Sequence, residues 1–329
     1  GDPRDLPPFP TRRSSDLNCW LRFWWSYAGK KLKNSGYQVV IIDKHNYHQF
    51  PPLFYQVASA GLDASSILFP LRKIFQDFKD YHIRKAEIKS VDTSGKILIT
   101  SAGTISFDYL VLAHGATNSF FGSVQMQQHS KAMKTVAEVI DLRNTLLMNF
   151  ENALMVNDAS EREKFLNIVI IGGGPSGVEI AGALSEMINH IVPRDYPELK
   201  TNKPKIYLIE AAERLLNMMS EHSSRKAKEF LEKSGVQLLT DTKAIGCDEN
   251  SVYLDRGDNI PVRLIIWTAG IKGNMIEGFE KEVYTKNGRI IVDRYNRVNG
   301  LQDIYAIGDI ALMTEEKYQI GRASCRERV

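Results

Sequence analysis

A glycine loop between a predicted strand and a predicted helix is the feature that most constrains the fold of this chain. Residues Ile168–Ile171 are apolar, and the loop after them carries glycine at positions 172, 174 and 177. An apolar-periodic segment, Val178–Met187, follows at once. Such a strand–turn–helix pattern lets the backbone approach a pyrophosphate at a helix N-terminus, where N–H groups are free. It therefore predicts dinucleotide binding, with an ordinary glycine turn as the alternative.

The composition sets limits on the class of protein. A chain of 329 residues with 43% hydrophobic and 25% charged residues can form two domains, each with its own core. A formal net charge of +3 does not indicate a nucleic-acid partner. No apolar run reaches the roughly 18 residues that span a bilayer, and no secretory signal pattern is present. Cys19, Cys247 and Cys325 lack the close spacing of a disulfide framework or a metal site. We therefore predict a cytoplasmic protein without a metal centre.

Both ends of the chain lack any apolar period. Residues 1–17 and 320–329 resemble translated sequencing-adapter DNA, and we interpret both as artefacts that should be left out of fold prediction. Their removal leaves a net charge of +1, because the first segment is neutral and the second carries +2.

Three of the four tryptophans fall within six positions, at Trp20, Trp24 and Trp25. The tryptophan codon becomes a glycine codon when it is read one base later. The shifted reading of 18–25 is Ile-Val-Gly-x-Gly-Phe-Gly-Gly, which is a second strand followed by a GxGxxG loop. We interpret residues 18–28 as a frameshifted first nucleotide fingerprint; a genuine Trp-rich amphipathic segment is the alternative.

Two acidic residues follow predicted strands at positions suited to a ribose. Val39–Ile42 is a predicted strand that ends at Asp43, which lies 23 residues after position 20. That is close to the interval at which a carboxylate meets a ribose hydroxyl, although a plain loop aspartate is the alternative. Ile206–Ile209 ends at Glu210, whose carboxylate would accept the ribose hydroxyls and repel a 2′-phosphate, so NADH is preferred over NADPH.

Periodicity and turn residues predict the remaining elements. They are helices at 30–35 (with Gly36 as its C-cap), 65–78 (kinked or started by Pro70), 135–153 and 223–233, a small antiparallel insert within 83–112, an inserted loop at 190–203, and strands at 109–113, 251–254, 262–267 and 303–307.

Four stretches resemble the type II NADH dehydrogenases, single-subunit FAD enzymes that reduce quinone without pumping protons. These enzymes belong to the two-dinucleotide-binding flavoproteins of the FAD/NAD-dependent pyridine nucleotide-disulfide oxidoreductase superfamily. The stretches are Ile42–Phe50 running into Pro52–Ala58, Leu112–Thr117, Gly172–Glu179 and Ile304–Asp309. The wording Tyr-His-Gln-Phe and Pro-Leu-Phe-Tyr-Gln-Val-Ala is more specific to this family than the glycine loops, which the whole superfamily shares.

The resemblance implies an α/β fold with two Rossmann-like dinucleotide-binding domains, in which an NADH domain (120–274) is inserted in an FAD domain (18–119 and 275–319). It implies contacts to FAD and to NADH at two sets of residues. The FAD set is Asp43, Ala113, Gly115, Gly308 and Asp309, and the NADH set is Gly172, Gly174, Gly177, Glu210, Ala269 and Gly270.

Two of the implied roles have structural alternatives. Asp309 would hydrogen-bond the ribityl chain at a helix N-terminus, or it would simply cap a following helix. Glu179 would lie beside the nicotinamide and flavin as a candidate catalytic residue. Alternatively, it would complement the helix dipole from the first turn, which is worth about 0.3–1 kcal/mol.

The implied activity is hydride passage from NADH to flavin, followed by transfer of two electrons to a membrane quinone. The family also implies peripheral attachment to the inner face of the cell membrane through a C-terminal region that this chain lacks, and it allows a homodimer. One alternative is an NADH-dependent ferredoxin or rubredoxin reductase, and a weaker one is a sulfide–quinone reductase, for which Cys247 is the single candidate thiol. The non-enzyme alternative is an NADH-binding fragment or redox sensor without turnover.

Overall fold

The computed structural model describes residues 16–19, 32–33, 35–315 and 318–320. These residues divide into two compact units. Unit 1 contains the described residues up to Gln49, then Leu68–Thr117 and those from Lys272 onward; unit 2 contains Phe50–Ile67 and Asn118–Ile271. The main segment of unit 2 is therefore inserted between segments of unit 1 along the chain.

The strands come first in this account, because they form the two sheets that position the candidate site. They are β1 (Asp16–Cys19), β2 (Gln38–Asp43), β3 (Tyr47–Gln49), β4 (Leu68–Pro70), β5 (Tyr81–Lys85), β6 (Ile88–Asp92), β7 (Ile97–Thr100), β8 (Gly103–Ser106), β9 (Tyr109–Leu112), β10 (Ala116–Asn118), β11 (Ser130–Lys131), β12 (Asn167–Ile171), β13 (Lys205–Ile209), β14 (Gln237–Leu239), β15 (Ala244–Cys247), β16 (Ser251–Leu254), β17 (Asn259–Pro261), β18 (Leu264–Trp267), β19 (Ile271–Gly273), β20 (Ile290–Val292), β21 (Ile304–Ala306), β22 (Ala311–Glu315) and β23 (Tyr318–Ile320).

Helices lie between these strands in both units. The α-helices are α1 (Phe54–Ala58), α2 (Leu71–Ile74), α3 (Val124–His129), α4 (Val136–Met155), α5 (Ala159–Leu166), α6 (Pro175–His190), α7 (Val192–Asp195) and α8 (Glu221–Lys233), and 3-10 segments lie at Pro51–Leu53, Ala64–Ile67, Pro197–Lys200, Lys281–Val283 and Gly308–Ile310. No helix in the described ranges is both long enough and apolar enough to cross a membrane.

Unit 1 is organised around a parallel five-stranded sheet with the order β21-β9-β1-β2-β5. Val39–Ile42 are buried on both faces of this sheet, as expected for a continuous apolar run in a parallel sheet. The predicted antiparallel insert is confirmed as the sheet β6-β7-β8. Its residues Val91 and Leu98 share one apolar core with Leu110 and Ile304 of the parallel sheet.

Strand β1 is central in the unit 1 sheet, where it pairs in parallel with β2 on one side and with β9 on the other. It begins at Asp16, two residues before the predicted start of the first nucleotide fold. The proposed frameshifted loop at 20–28 lies outside the described residues. So does most of the predicted helix at 30–35, although Gly36 has a φ of +83°, which is typical of a residue that ends a helix.

Unit 2 is organised around a second parallel sheet with the order β11-β18-β12-β13-β14. The chain runs from β12 through α6 to β13 and then through α8 to β14, and β18 pairs with the opposite side of β12. The strand order therefore reverses at β12, which makes the carboxyl end of β12 a topological switch point. Every residue of β12 is buried, because helices cover both faces of such a sheet.

Two sequence predictions are wrong. The predicted helix at 65–78 is instead a 3-10 segment, strand β4 and the four-residue helix α2. Pro70 disfavours the helical conformation of Phe69 before it, and β4 instead pairs antiparallel with β3. The predicted loop at 190–203 contains α7 and a 3-10 segment, because Pro193 and Pro197 occupy first-turn positions, where the missing N–H costs nothing.

The other predicted helices and strands of the described ranges are confirmed to within three residues at each end. Helix α4 has a capping box: Thr135 Oγ1 accepts from Glu138 N at 3.2 Å, and Glu138 Oε2 accepts from Thr135 N at 2.8 Å. The α/β class with two nucleotide-binding folds is confirmed. The predicted domain limits at 119 and 274 stay predictions.

Candidate functional site

The glycine loop of unit 2 lies at the switch point of its sheet. Gly172 N donates to Ile209 O at 2.8 Å on the β13 side, and Thr268 N donates to Ile171 O at 2.9 Å on the β18 side. Gly172 has a φ of +111°, a left-handed conformation that glycine adopts without strain. The loop is thus held between both neighbours of β12, and α6 begins directly after it.

The three predicted glycines are small for different reasons. A Cβ at Gly172 would lie 2.6 Å from Ala269 Cα, and a Cβ at Gly177 would lie 1.8 Å from Gly172 O. Packing within the protein therefore requires both glycines. A Cβ at Gly174 would meet no protein atom within 4 Å, and the φ of Gly174 is an ordinary −73°. Nothing in the described residues requires glycine at 174, so its small size leaves open space in front of the helix.

Helix α6 presents its N-terminus to that open space. Gly174 is its N-cap and provides no capping side chain, and the first turn contains no acidic residue. The unpaired N–H groups and the partial positive charge of a 16-residue helix are suited to a phosphate group. The geometry therefore fits a nucleotide pyrophosphate.

Ala269 and Gly270 border the loop from the β18 side. The Thr268 hydroxyl donates to Ile171 O and to Gly172 O, both at 2.9 Å, so this segment is fixed against the glycine loop. A Cβ at Gly270 would lie 2.6 Å from the Phe121 ring. The structure thus brings both predicted residues to the candidate nucleotide site.

Glu210 lies directly after β13, beside the glycine loop. Its Oε2 accepts from Gly173 N at 2.6 Å, and its Oε1 accepts from Ala212 N at 2.7 Å. The carboxylate is half-buried and held in one orientation by two backbone donors. Because a carboxylate has about four lone-pair sites, two remain for the hydroxyl groups of a ribose. The fixed negative charge also opposes a 2′-phosphate at this position.

Glu179 lies in the second turn of α6, not in the first. It is the fifth residue of the helix, and its side chain is exposed. The prediction that it complements the dipole from the first turn is wrong, because that interaction falls off within one turn. Although the side chain is exposed, the protein atoms around it partly desolvate the carboxyl group and raise its pKa. Its predicted place beside the nicotinamide stays a prediction.

The predicted FAD residues of unit 1 follow three strands of one parallel sheet. Asp43 ends β2, Ala113 and Gly115 follow β9, and Gly308 and Asp309 follow β21. Because the carboxyl ends of parallel strands meet at the same edge, the sheet brings these five residues to one edge of unit 1. Gly115 and Gly308 have φ values of +74° and +75°, and buried Asp43 accepts from His45 N at 2.7 Å through Oδ1. This edge can hold a second nucleotide.

The local structure at Asp309 differs from both predicted roles. Asp309 is the middle residue of the 3-10 segment Gly308–Ile310, which is followed by strand β22. In the described residues it therefore lies neither at the N-terminus of an α-helix nor in an N-cap position. Strand pairing of β22 with β20 takes the place of the expected helix.

His114 is a candidate site residue that sequence reasoning missed. It lies between Ala113 and Gly115, and its ring is buried and hydrogen-bonded through Nε2 to Asn274 O at 2.7 Å. Burial lowers the pKa of His114 to about 4, so the ring is neutral near pH 7. Its place between two predicted flavin residues was the available signal. No group of three or more potential ligand side chains in the described ranges could hold a metal ion.

Comparison with known proteins gives matches along almost the whole chain. The family model of the pyridine nucleotide-disulphide oxidoreductases matches residues 26–325. An external alternative NAD(P)H-ubiquinone oxidoreductase B3 of Arabidopsis thaliana mitochondria is 30% identical over 314 residues, which cover 89% of this chain and 54% of the relative. The type II NADH:quinone oxidoreductase Ndh of Mycobacterium tuberculosis is 26% identical over 318 residues, covering 92% of this chain and 68% of the relative. The chain thus spans about half the length of the plant relative.

Solved structures agree on the fold. NDH2 from Plasmodium falciparum, solved in complex with NADH, matches with a TM-score of 0.84 and 23% identity, covering 92% of this chain and 65% of that one. A sulfide:quinone oxidoreductase from Aquifex aeolicus matches with a TM-score of 0.74 and 16% identity, covering 94% of this chain and 71% of that one.

Proposed function

The chain belongs to the pyridine nucleotide-disulphide oxidoreductase family, and from that premise we propose that it is the nucleotide-binding part of a type II NADH:quinone oxidoreductase. In this proposal unit 2 binds NADH and unit 1 binds FAD. When bound, the two cofactors supply hydride transfer and then two-electron reduction of a quinone. The protein supplies alignment, and its names among relatives point to a quinone as the acceptor.

Each group of site residues has a physical task in this proposal. The N-terminus of α6 and the space at Gly174 receive the pyrophosphate of NADH. Glu210 accepts hydroxyl groups of the adenine ribose and disfavours NADPH. Asp43 and the glycines at 115 and 308 serve the FAD at the edge of the unit 1 sheet.

The open space at Gly174 is the observation that carries the proposal. A methyl group there meets no protein atom, so it would conflict only with a bound molecule. Gly182, in the same helix, provides a matched control, because its Cβ would make ordinary contacts at 3.8 and 4.0 Å to Phe230 and Leu231. The two Gly→Ala changes are therefore chemically identical and differ in whether they face the proposed pyrophosphate.

The test is a fluorescence titration with NADH on the purified full chain. We expect Gly174→Ala to weaken NADH binding by about tenfold or more with no loss of thermal stability, since intruding on a packed contact costs about 1–3 kcal/mol. Gly182→Ala should leave binding unchanged. Equal NADH affinity of Gly174→Ala and the parent chain would contradict a nucleotide at this loop.

The acceptor and the membrane surface are parts of the proposal that need their own assay. We propose a quinone acceptor, peripheral attachment through a region that the longer relatives contain, and cytoplasmic exposure of the NADH site. Quinone-dependent NADH oxidation by the whole protein supports this. Oxidation that ignores quinone and reduces a small iron–sulfur protein supports the ferredoxin reductase alternative instead.

Sulfide chemistry has little support from the thiol of the described residues. Cys247 is buried, and burial raises the pKa of its thiol to about 11. A thiol of that pKa stays protonated near neutral pH and is a weak nucleophile. The sulfide–quinone reductase alternative is accordingly disfavoured.

A further inference from the structure

A second concave site lies in unit 2, at the sheet edge opposite the glycine loop. A cavity of about 580 Å³ is lined by Asn167 and Lys205, which begin β12 and β13, together with residues of α5, the second half of α6 and the 200–204 segment. Parallel strands begin at one edge of a sheet and end at the other, and β12 is about 16 Å long. The cavity is therefore separate from the nucleotide loop, and its volume is within the range of small-molecule sites.

The cavity is lined by more positive than negative charge. Four cationic residues line it, namely Arg162, Lys200, Lys203 and Lys205, against one carboxylate, Glu163. Glu163 Oε1 pairs with Lys205 Nζ at 2.9 Å, so the single negative charge is already used. The Arg162 guanidinium donates to the neutral carbonyl of Val156 at 3.2 and 2.7 Å and keeps its full charge. Four positive charges and one negative leave a net charge of +3 around this cavity.

Asn167 adds a buried polar group to the wall of the cavity. Its side chain is 1% exposed, and its Nδ2 donates to Pro261 O at 2.8 Å. Its Oδ1 has no hydrogen-bond partner among the described residues. A buried acceptor without a donor is costly, and native proteins seldom leave one unsatisfied. A hydroxyl group of a bound molecule would satisfy it.

We propose that this cavity binds a soluble organic phosphate that carries free hydroxyl groups, independently of the nucleotide at the glycine loop. The phosphate would meet Lys200 and Lys203, whose side chains are exposed at the rim of the cavity. A hydroxyl group would donate to Asn167 Oδ1 in the wall. Charge selects an anion, the concave shape selects a small molecule, and the orphaned acceptor selects one with hydroxyl donors.

The test is calorimetric titration of the purified full chain with glycerol 3-phosphate and with inorganic phosphate as probes. We expect saturable binding of both, with glycerol 3-phosphate the tighter because only it brings hydroxyl groups on carbon. The variant Lys200→Gln/Lys203→Gln should weaken binding of glycerol 3-phosphate by about tenfold or more, since charge-assisted hydrogen bonds are the strong ones. Lys226→Gln/Lys243→Gln removes the same charge from exposed lysines outside the cavity and should leave binding unchanged.

Two further arms separate the possible sources of a phosphate signal. Glycerol 3-phosphate binding that is abolished by saturating NADH and unaffected by Lys200→Gln/Lys203→Gln would place the probe on the glycine loop and overturn the proposal. Co-sedimentation with phosphatidylcholine vesicles containing phosphatidylglycerol is the lipid arm. Vesicle binding that needs the two lysines, without binding of free glycerol 3-phosphate, would also overturn it. Absence of any saturable binding is a third contrary result.

Discussion

At the residue scale, buried His114 makes the stability of unit 1 depend on pH. Its pKa is lowered from 6.5 to about 4 by burial, so the unfolded chain takes up a proton on this ring before the folded chain does. Above pH 6.5 the ring is neutral in both states and contributes no pH dependence. As the pH falls from 6.5 towards 4, protonation favours the unfolded chain, and stability is progressively lost.

We predict that His114→Gln removes this pH dependence. Between about pH 7 and about pH 5 the parent chain should lose about 2 kcal/mol more unfolding free energy than His114→Gln, given 1.36 kcal/mol per pKa unit. Glutamine retains a donor that can reach Asn274 O. Urea unfolding followed by circular dichroism measures the difference, and His190→Gln, at an exposed position, is the matched control. Identical losses in parent and His114→Gln would show that His114 protonates equally in both states.

Sequence reasoning found most of the candidate site residues at this scale, since glycines and acids after strands carry an explicit signal. It did not separate their reasons. Gly172 and Gly177 are required by contacts with Ala269 and Gly172 O, whereas Gly174 has no such contact. Those distances depend on how β18 packs beside β12, which one motif does not contain. His114 was missed because burial, not residue spacing, makes it unusual.

At the element scale, α6 has one glycine that its packing requires and one that it does not. A Cβ at Gly177 would lie 1.8 Å from Gly172 O, so helix and loop would have to separate. Gly182 is internal to the helix and has space for a methyl group. Alanine is the better helix former wherever it fits, because glycine loses more backbone freedom on folding.

We therefore predict opposite effects of the same substitution within one helix. Gly177→Ala should destabilise unit 2 by about 3 kcal/mol or more, as an overpacked contact with backbone cannot relax easily. Gly182→Ala should stabilise it by about 0.5–1 kcal/mol. Urea unfolding monitored by the fluorescence of Trp267 reports on this unit. A neutral Gly177→Ala variant would mean that the loop and the helix are not packed as described.

Element prediction succeeded where local and long-range preferences agree. The run Val39–Ile42 and the helix after Thr135 have both a clear pattern and a buried face to match it. Prediction failed at 65–78, where apolar residues have helical spacing but Pro70 interrupts the backbone. There the antiparallel pairing of Tyr47 with Pro70 decided the structure, and such a partner is not visible in a local window.

At the scale of the whole molecule, the two units repeat one plan with one part altered. Each has a parallel five-stranded sheet, and in each the central strand should lead into a phosphate-binding loop. In unit 2, β12 leads to the glycine loop. In unit 1, the central strand is β1, and the sequence next to it carries Trp20, Arg22, Trp24 and Trp25 in the positions of the expected glycines.

We predict that restoring the four glycines restores flavin binding. Bulky side chains cannot serve where the backbone must approach a pyrophosphate, so the chain with Trp20→Gly, Arg22→Gly, Trp24→Gly and Trp25→Gly should bind FAD and show visible flavin absorption, whereas the parent should not. Adding Gly174→Ala is the control, because it should remove NADH binding and leave the flavin bands in place. A folded four-glycine chain that binds NADH but stays colourless with excess FAD would contradict the frameshift interpretation and the FAD role of unit 1 together. Flavin bands of equal strength in the parent chain would contradict the frameshift interpretation alone.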